Sequence, residues 1–182
     1  MFIGGKKITM ETLQVIKKRR SCRSFSSREV EQEKIDKIVE AGLHAPSGVN
    51  RQDVIIIQIS DKELLKELKE VNAGILGRTG IDPFYGAPLI FIIVAEKGWF
   101  TSVEDGSLVI ENMLLAAEDL SLGSIWIHRA REEMELPIGR KILEKAGLSG
   151  EYVGIGHVAI GYREQNIPPR EIAIKENRYK KI

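Results

Sequence analysis

The sequence predicts an α+β fold, with a mixed, mostly antiparallel central sheet between helical layers. Three observations point there. Four short runs (54–59, 89–95, 124–128 and 152–162) are β-branched or glycine-punctuated, and the segments between them repeat apolar residues at three and four positions. These elements do not follow one another as regular βα units with crossover spacing, which disfavours a parallel sheet. Finally, 182 residues with 43% hydrophobic side chains suffice for one domain with a real core.

Taken in order, residues 11–20 read as a helix with Leu13, Val15 and Ile16 inward. The Ser24-Phe25-Ser26-Ser27 stretch interrupts it. A second helix starts near Glu31, where Ile35, Ile38, Val39 and Leu43 keep amphipathic spacing until Pro46 stops it. Residues 54–59 have the composition of a buried strand, and Asp61 is placed to cap a helix through Leu64, Leu65 and Leu68. Residues 71–86, with four glycines and one proline, read as a mobile loop or lid. A second core strand follows at 89–95. The long helix at 103–120 is apolar on more than one side and so belongs at the centre or at a subunit interface.

The third strand is expected at 124–128, a further helix at 136–146, and the fourth strand at 152–162. Glycines at 154, 156 and 161 suit close approach of a backbone or ligand to that strand. In the tail, Ile172 and Ile174 alternate as a short edge strand would, which in an intertwined dimer would join the partner's sheet. The chain thus divides into a domain over 1–162 and a C-terminal extension over 163–182, which would be disordered if solitary and in a dimer would pack on the partner subunit.

Charge excludes several functions. With 27 basic and 26 acidic side chains the net charge is +1, so no global field draws the chain to nucleic acid or to an anionic membrane. Anion binding has to be local. One cysteine, Cys22, allows no intrachain disulfide and reads either as a reactive thiol or as a small buried filler. The start of the chain lacks a signal peptide's apolar core, and the longest apolar run is too short to span a bilayer, so a cytoplasmic location is expected. His44, His128 and His157 show no ligand spacing, and no metal site is expected. Neither a Walker A sequence, a Rossmann glycine pattern nor a Gly-x-Ser-x-Gly elbow is present.

Two stretches carry the chemistry. Arg19-Arg20-Ser21-Cys22-Arg23 gathers three guanidinium groups and a hydroxyl, which suits a phosphate. It equally suits a solvated helix end, where cations meet the negative pole. Ala45-Pro46-Ser47-Gly48-Val49-Asn50-Arg51-Gln52 offers two carboxamides to the polar edge of a planar heterocycle, and it also suits an ordinary turn. Together they point to a nucleotide-like ligand. His128, followed by Arg129, is a rim or packed histidine.

The order Arg-Arg-Ser-x-Arg-x-Phe (19–25), then Ala-Pro-Ser-x-x-Asn-x-Gln (45–52), resembles the nitroreductase family of FMN-dependent oxidoreductases. Phe84-Tyr85-Gly86-Ala87-Pro88, Glu111-Asn112-Met113-Leu114-Leu115, Ser121-Leu122-Gly123-Ser124-Ile125-Trp126-Ile127 and Gly161-Tyr162 before Pro169-Arg170 extend the likeness in order along the chain. The resemblance implies an intertwined homodimer with FMN at the interface. It implies phosphate and ribityl contacts from Arg19, Arg20, Ser21 and Arg23, with Arg23 also a candidate to oppose charge on the reduced ring. Pro46, Ser47, Asn50 and Gln52 would come from the other subunit's loop to the isoalloxazine. The backbone of Trp126, Ile127 and His128 would approach the redox nitrogen, and Arg170 would return to the phosphate.

The activity implied is hydride uptake from NADH or NADPH and transfer to a nitroaromatic or quinone-like acceptor by a ping-pong route, with no dedicated catalytic side chain. Two departures stand out. Asp53 and Val54 replace the usual proline and aromatic, and many members place a glycine where His128 or Arg129 falls. These two side chains are therefore candidate modulators of the substrate face. If they blocked it, the chain would be a flavin-binding protein without turnover.

Overall fold

The computed structural model describes residues 2–3, 6–7, 11–164 and 172–182. A short antiparallel ribbon pairs β1 (Phe2–Ile3) with β2 (Lys6–Lys7). Helices α1 (Thr12–Lys18) and α2 (Gln32–Leu43), strand β3 (Val54–Ile59) and helix α3 (Lys62–Ile75) follow. Then come β4 (Leu89–Glu96), α4 (Ser102–Asp119), β5 (Gly123–Ile127), α5 (Ala130–Met134), α6 (Pro137–Lys145) and β6 (Tyr152–Gly161).

The main sheet has the order β3-β4-β6-β5, and every pairing in it is antiparallel. Strand β4 is buried along nearly its whole length because helices cover both faces of the sheet. Its side chains alternate. Ile90, Ile92 and Val94 meet Leu64 and Leu68 of α3 and Ile138 and Ile142 of α6. Phe91, Ile93 and Ala95 meet Ile35 and Ile38 of α2 and Val109 and Met113 of α4. Each such fully buried side chain contributes about 1.5–3 kcal/mol. This is the mostly antiparallel sheet between helical layers that the pattern predicts.

Several expectations need correction. In α1 only Val15 is buried, while Leu13 is 68% and Ile16 48% exposed, because this two-turn helix meets α4 by one narrow face. At the end of α2, Gly42 takes the inward position against Ile56 and Met113, so Leu43 points outward. The expected loop at 71–86 is shorter, since α3 runs on to Ile75 with Asn72 and Ala73 in its buried face. The Asp61 cap is as expected: its Oδ1 accepts from the N–H groups of Glu63 and Leu64, each at 3.0 Å.

The remaining loop is pinned rather than free-standing. Asp82 accepts from the N–H groups of Phe84 at 2.9 Å and Gly86 at 3.1 Å, and Phe84 is fully buried. Strand β5 ends at Ile127, so His128 lies just beyond it. Helix α5 leaves no periodic signal in the sequence: five residues are too few to show one, and Pro137 opens a new helix shortly after it. Ile172 and Ile174 are exposed and form no strand within the described chain. No helix of the described residues is long and apolar enough to cross a membrane.

Candidate functional site

After α1 the chain runs extended along the outer edge of β5. The Cys22 N–H donates to the Ser124 carbonyl at 2.9 Å, Ser21 bridges Ser124 in parallel, and Phe25 bridges Arg163. The period of two turns Cys22 and Ser24 inward and leaves Ser21 and Arg23 exposed on the opposite side. Gly123 permits this approach, since a Cβ there would stand 2.9 Å from Cys22 Cβ and Sγ and from Arg163 Cγ. Arg163 is itself tied to the nearly buried Glu118 of α4.

The three arginines of the cluster are not equivalent. Arg20 turns back onto α1 and donates from Nη1 to the carbonyls of Lys17 (2.6 Å) and Arg19 (2.8 Å), the role of a helix-end cation. Arg19 Nε lies 3.9 Å from Glu111 Oε1. Arg23 is exposed and pairs with no carboxylate of the described residues. A cleft of about 50 Å³ opens here between Ser21, Arg23, Ser24 and Arg163. Arg170 lies outside the described residues.

At the other end of β5, Trp126 is 44% exposed and its indole lies over Gly156 of β6, where a Cβ would collide with it. Ile127 is buried, so only its backbone is available to a ligand. His128 is exposed. Arg129 is half-buried with φ +83°, a left-handed conformation that a non-glycine residue adopts only when its surroundings enforce it. Those surroundings are Asn72, whose Oδ1 accepts from Arg129 Nε at 2.9 Å, and behind it Glu133 and His157.

The 46–52 loop is held from α4. Asp105, 3% exposed, accepts the Gly48 N–H at 3.0 Å on Oδ1 and the Thr101 hydroxyl at 2.9 Å on Oδ2. Ser47 Oγ accepts the Gln52 N–H at 3.0 Å, and Gln52 Nε2 donates to Asn50 Oδ1 at 2.8 Å. Val49, Asn50 and Gln52 all have positive φ, of 49°, 57° and 55°. Pro46, Asn50 and Gln52 are exposed, and Ser47 is half-buried.

Structure brings the arginine segment to one end of α4 and the loop to the other. The loop is anchored at Thr101 and Asp105; the arginine segment sits beside Ser124 and Arg163, which contact Leu114 and Glu118. Arg19 reaches Glu111 near the middle of the helix, so six to thirteen residues separate these contacts from Asp105, an axial distance of about 9–20 Å.

Asn72, Glu133, Asp105 and Glu118 are absent from the sequence-based site. Asn72 and Asp105 are visible in hindsight as polar residues in phase with the apolar stripes of α3 and α4.

A family model described as "Nitroreductase family" matches residues 16–162. A protein of Methanothermobacter thermautotrophicus, provisionally named NADH dehydrogenase/NAD(P)H nitroreductase, is 34% identical over 136 residues, 68% of this chain and 64% of that one, so the chain spans slightly under two thirds of it. The FMN reductase [NAD(P)H] of Bacillus subtilis is 27% identical, over 93% of this chain and 74% of its own. The structure of a Bacteroides fragilis nitroreductase with bound FMN superposes with a TM-score of 0.86 at 27% identity, covering 96% of this chain and all of that one.

Proposed function

The chain belongs to the nitroreductase family, and we propose that it is an FMN-dependent oxidoreductase. In this reading it takes a hydride from NADH or NADPH and passes electrons to a small aromatic or quinone-like acceptor by a ping-pong route. One observation carries the reading: a single edge strand joins the two half-sites. Ser21 and Arg23 lie beside the start of β5, and Trp126 and His128 stand at its end. Four residue steps separate Ser124 from His128, about 13 Å at ~3.3 Å per step. That span suits a ligand with a phosphate at one end and a planar ring at the other. FMN-bound relatives of the same fold support the choice of ligand.

FMN, when bound, supplies the two-electron chemistry. The side chains bind and orient. Arg19 and Arg23 offer charge-assisted donors to a phosphate and Ser21 a neutral one, while Arg20 acts mainly through the helix end it caps. Arg170 remains a proposed phosphate contact. The backbone of Trp126, Ile127 and His128 would face the ring, and the exposed His128 side chain and Arg129 would narrow the acceptor face.

The site is completed by a second copy. Within one protomer the carboxamides of Asn50 and Gln52 lie towards the other end of α4 from Ser124 and Arg163, and a two-fold partner would supply them. Exposed apolar side chains at Leu13, Ile16, Val49, Phe100, Val103 and Leu108 suit burial in such a contact. The unpaired edge of β3 borders a groove of about 520 Å³ lined by Ile35, Val39, Leu43 and Ile56, where the partner's tail, with Ile172 and Ile174, would add a strand. A cytoplasmic compartment supplied with NAD(P)H fits the same reading.

Steady-state kinetics with NADPH and a benzoquinone test it. Parallel double-reciprocal lines are the expected result. Purified, FMN-loaded protein that consumes neither NADH nor NADPH with any such acceptor would overturn turnover and leave a flavin-binding protein.

A further inference from the structure

The buried polar group behind β5 has a use beyond stability. Asn72 of α3 is fully buried, and its amide serves three partners. Oδ1 accepts from Arg129 Nε at 2.9 Å, Nδ2 donates to Glu133 Oε1 at 2.5 Å, and Nδ2 lies 3.5 Å from the His128 carbonyl. Glu133, also fully buried, meets His157 Nε2 through Oε2 at 2.5 Å. His157 is the residue of β6 paired with Ile127 of β5, and Phe84 packs edge-on against its ring at 5.1 Å. The circuit therefore closes: β5, β6, α5 and α3 clasp the turn at 127–130 from both ends.

A hydrophobic core would need none of these groups, and burying Asn72, Glu133 and His157 is costly, the more so because His157 Nδ1 has no hydrogen-bond partner among the described residues. What they enforce is visible at Arg129, whose left-handed backbone (φ +83°, ψ 0°) belongs to a class of strain of order 1–3 kcal/mol. Loss of the clasp would let that turn relax, moving the carbonyl and N–H groups of 127–130 together.

We propose that Asn72, backed by Glu133 and His157, is a positioning residue that fixes the backbone of His128 and Arg129 against the redox-active edge of the flavin. This rests on the FMN reading above. A fixed backbone N–H favours the oxidised ring, whose nitrogen accepts a hydrogen bond, over the reduced ring, which carries a hydrogen there. Asn72 does not touch the flavin; it acts through the turn.

The test compares FMN dissociation constants, oxidised and dithionite-reduced, for wild type, Asn72→Ala and Arg129→Ala. Arg129→Ala removes the half-exposed anchor but keeps a Cβ that disfavours the positive φ, so the turn is free to relax, and the partial exposure of this side chain lets the variant fold even where Asn72→Ala fails to. The expected result is that both variants weaken oxidised FMN about tenfold more than reduced FMN, which is about 30 mV on the two-electron midpoint potential. Arg129→Ala with the wild-type ratio of the two constants overturns the proposal, as does a folded Asn72→Ala with that ratio. Wild-type protein that takes up no FMN at all overturns instead the cofactor reading on which it rests.

Discussion

The carboxylate of Asp105 accepts the backbone N–H of Gly48 at 3.0 Å, tying the carboxamide loop to the first turn of the long helix. Asp105→Ala leaves this N–H and the Thr101 hydroxyl without their acceptor. We expect a loss of about 1–3 kcal/mol in urea unfolding, together with weaker FMN binding because the loop that carries Asn50 and Gln52 is released. Wild-type FMN affinity in a destabilised Asp105→Ala would separate the loop from the cofactor.

Arg23 and Arg20 should behave differently although they are three residues apart. Arg23→Ala is expected to weaken FMN roughly tenfold or more, the size of a lost charge-assisted hydrogen bond of about 1.5–3 kcal/mol. Stability should hardly change, because Arg23 makes no ion pair with the described residues. Arg20→Ala should lose less flavin affinity and more helix stability, since its guanidinium caps α1. Fluorescence titration with FMN and thermal unfolding read both; equal flavin losses would refute the division of labour.

Removing residues 165–182 should impair dimerisation or FMN retention while the domain stays folded. The cut spares Arg163, which the Glu118 pair and the Phe25 bridge bind into the domain. Light scattering gives the answer. A truncated protein that remains dimeric and yellow would show that the extension is dispensable.

One acid dependence is built into α3. Hydrogen bonds from the Leu64 N–H, then from the Lys145 ammonium, hold the Asp61 carboxyl at about 2, below its ordinary 3.8. A depressed folded-state value means stability that is fully present above the unfolded value and lost as pH falls from about 4 towards 2. Asp61→Ala should therefore lower the urea midpoint at pH 6, and its difference from wild type should narrow by pH 2.5. A gap that stays constant across this window would contradict the capping role.

How much of this was legible in the sequence depends on which force placed each residue. The four strands and the stripes of α2, α3 and α4 follow apolar periodicity, and Asp61 announces its helix; local rules decide these. The outward turn of Leu13 and Ile16 was not legible, because a helix's apolar residues do not say whether the cover is the same chain or a second one. Asn72, Glu133 and His157 were hidden for a related reason. Each is polar in an apolar phase, and only the fold shows that they meet. The arginine cluster and the carboxamide loop are legible as motifs, but the contacts that hold them, Glu111 to Arg19 and Asp105 to Gly48, are not.

The most direct test of the account is an absorbance spectrum of the protein purified without added flavin, repeated after anaerobic addition of NADH or NADPH. The account predicts oxidised-flavin bands that bleach with the nicotinamide. A colourless protein that also fails to take up supplied FMN would contradict it.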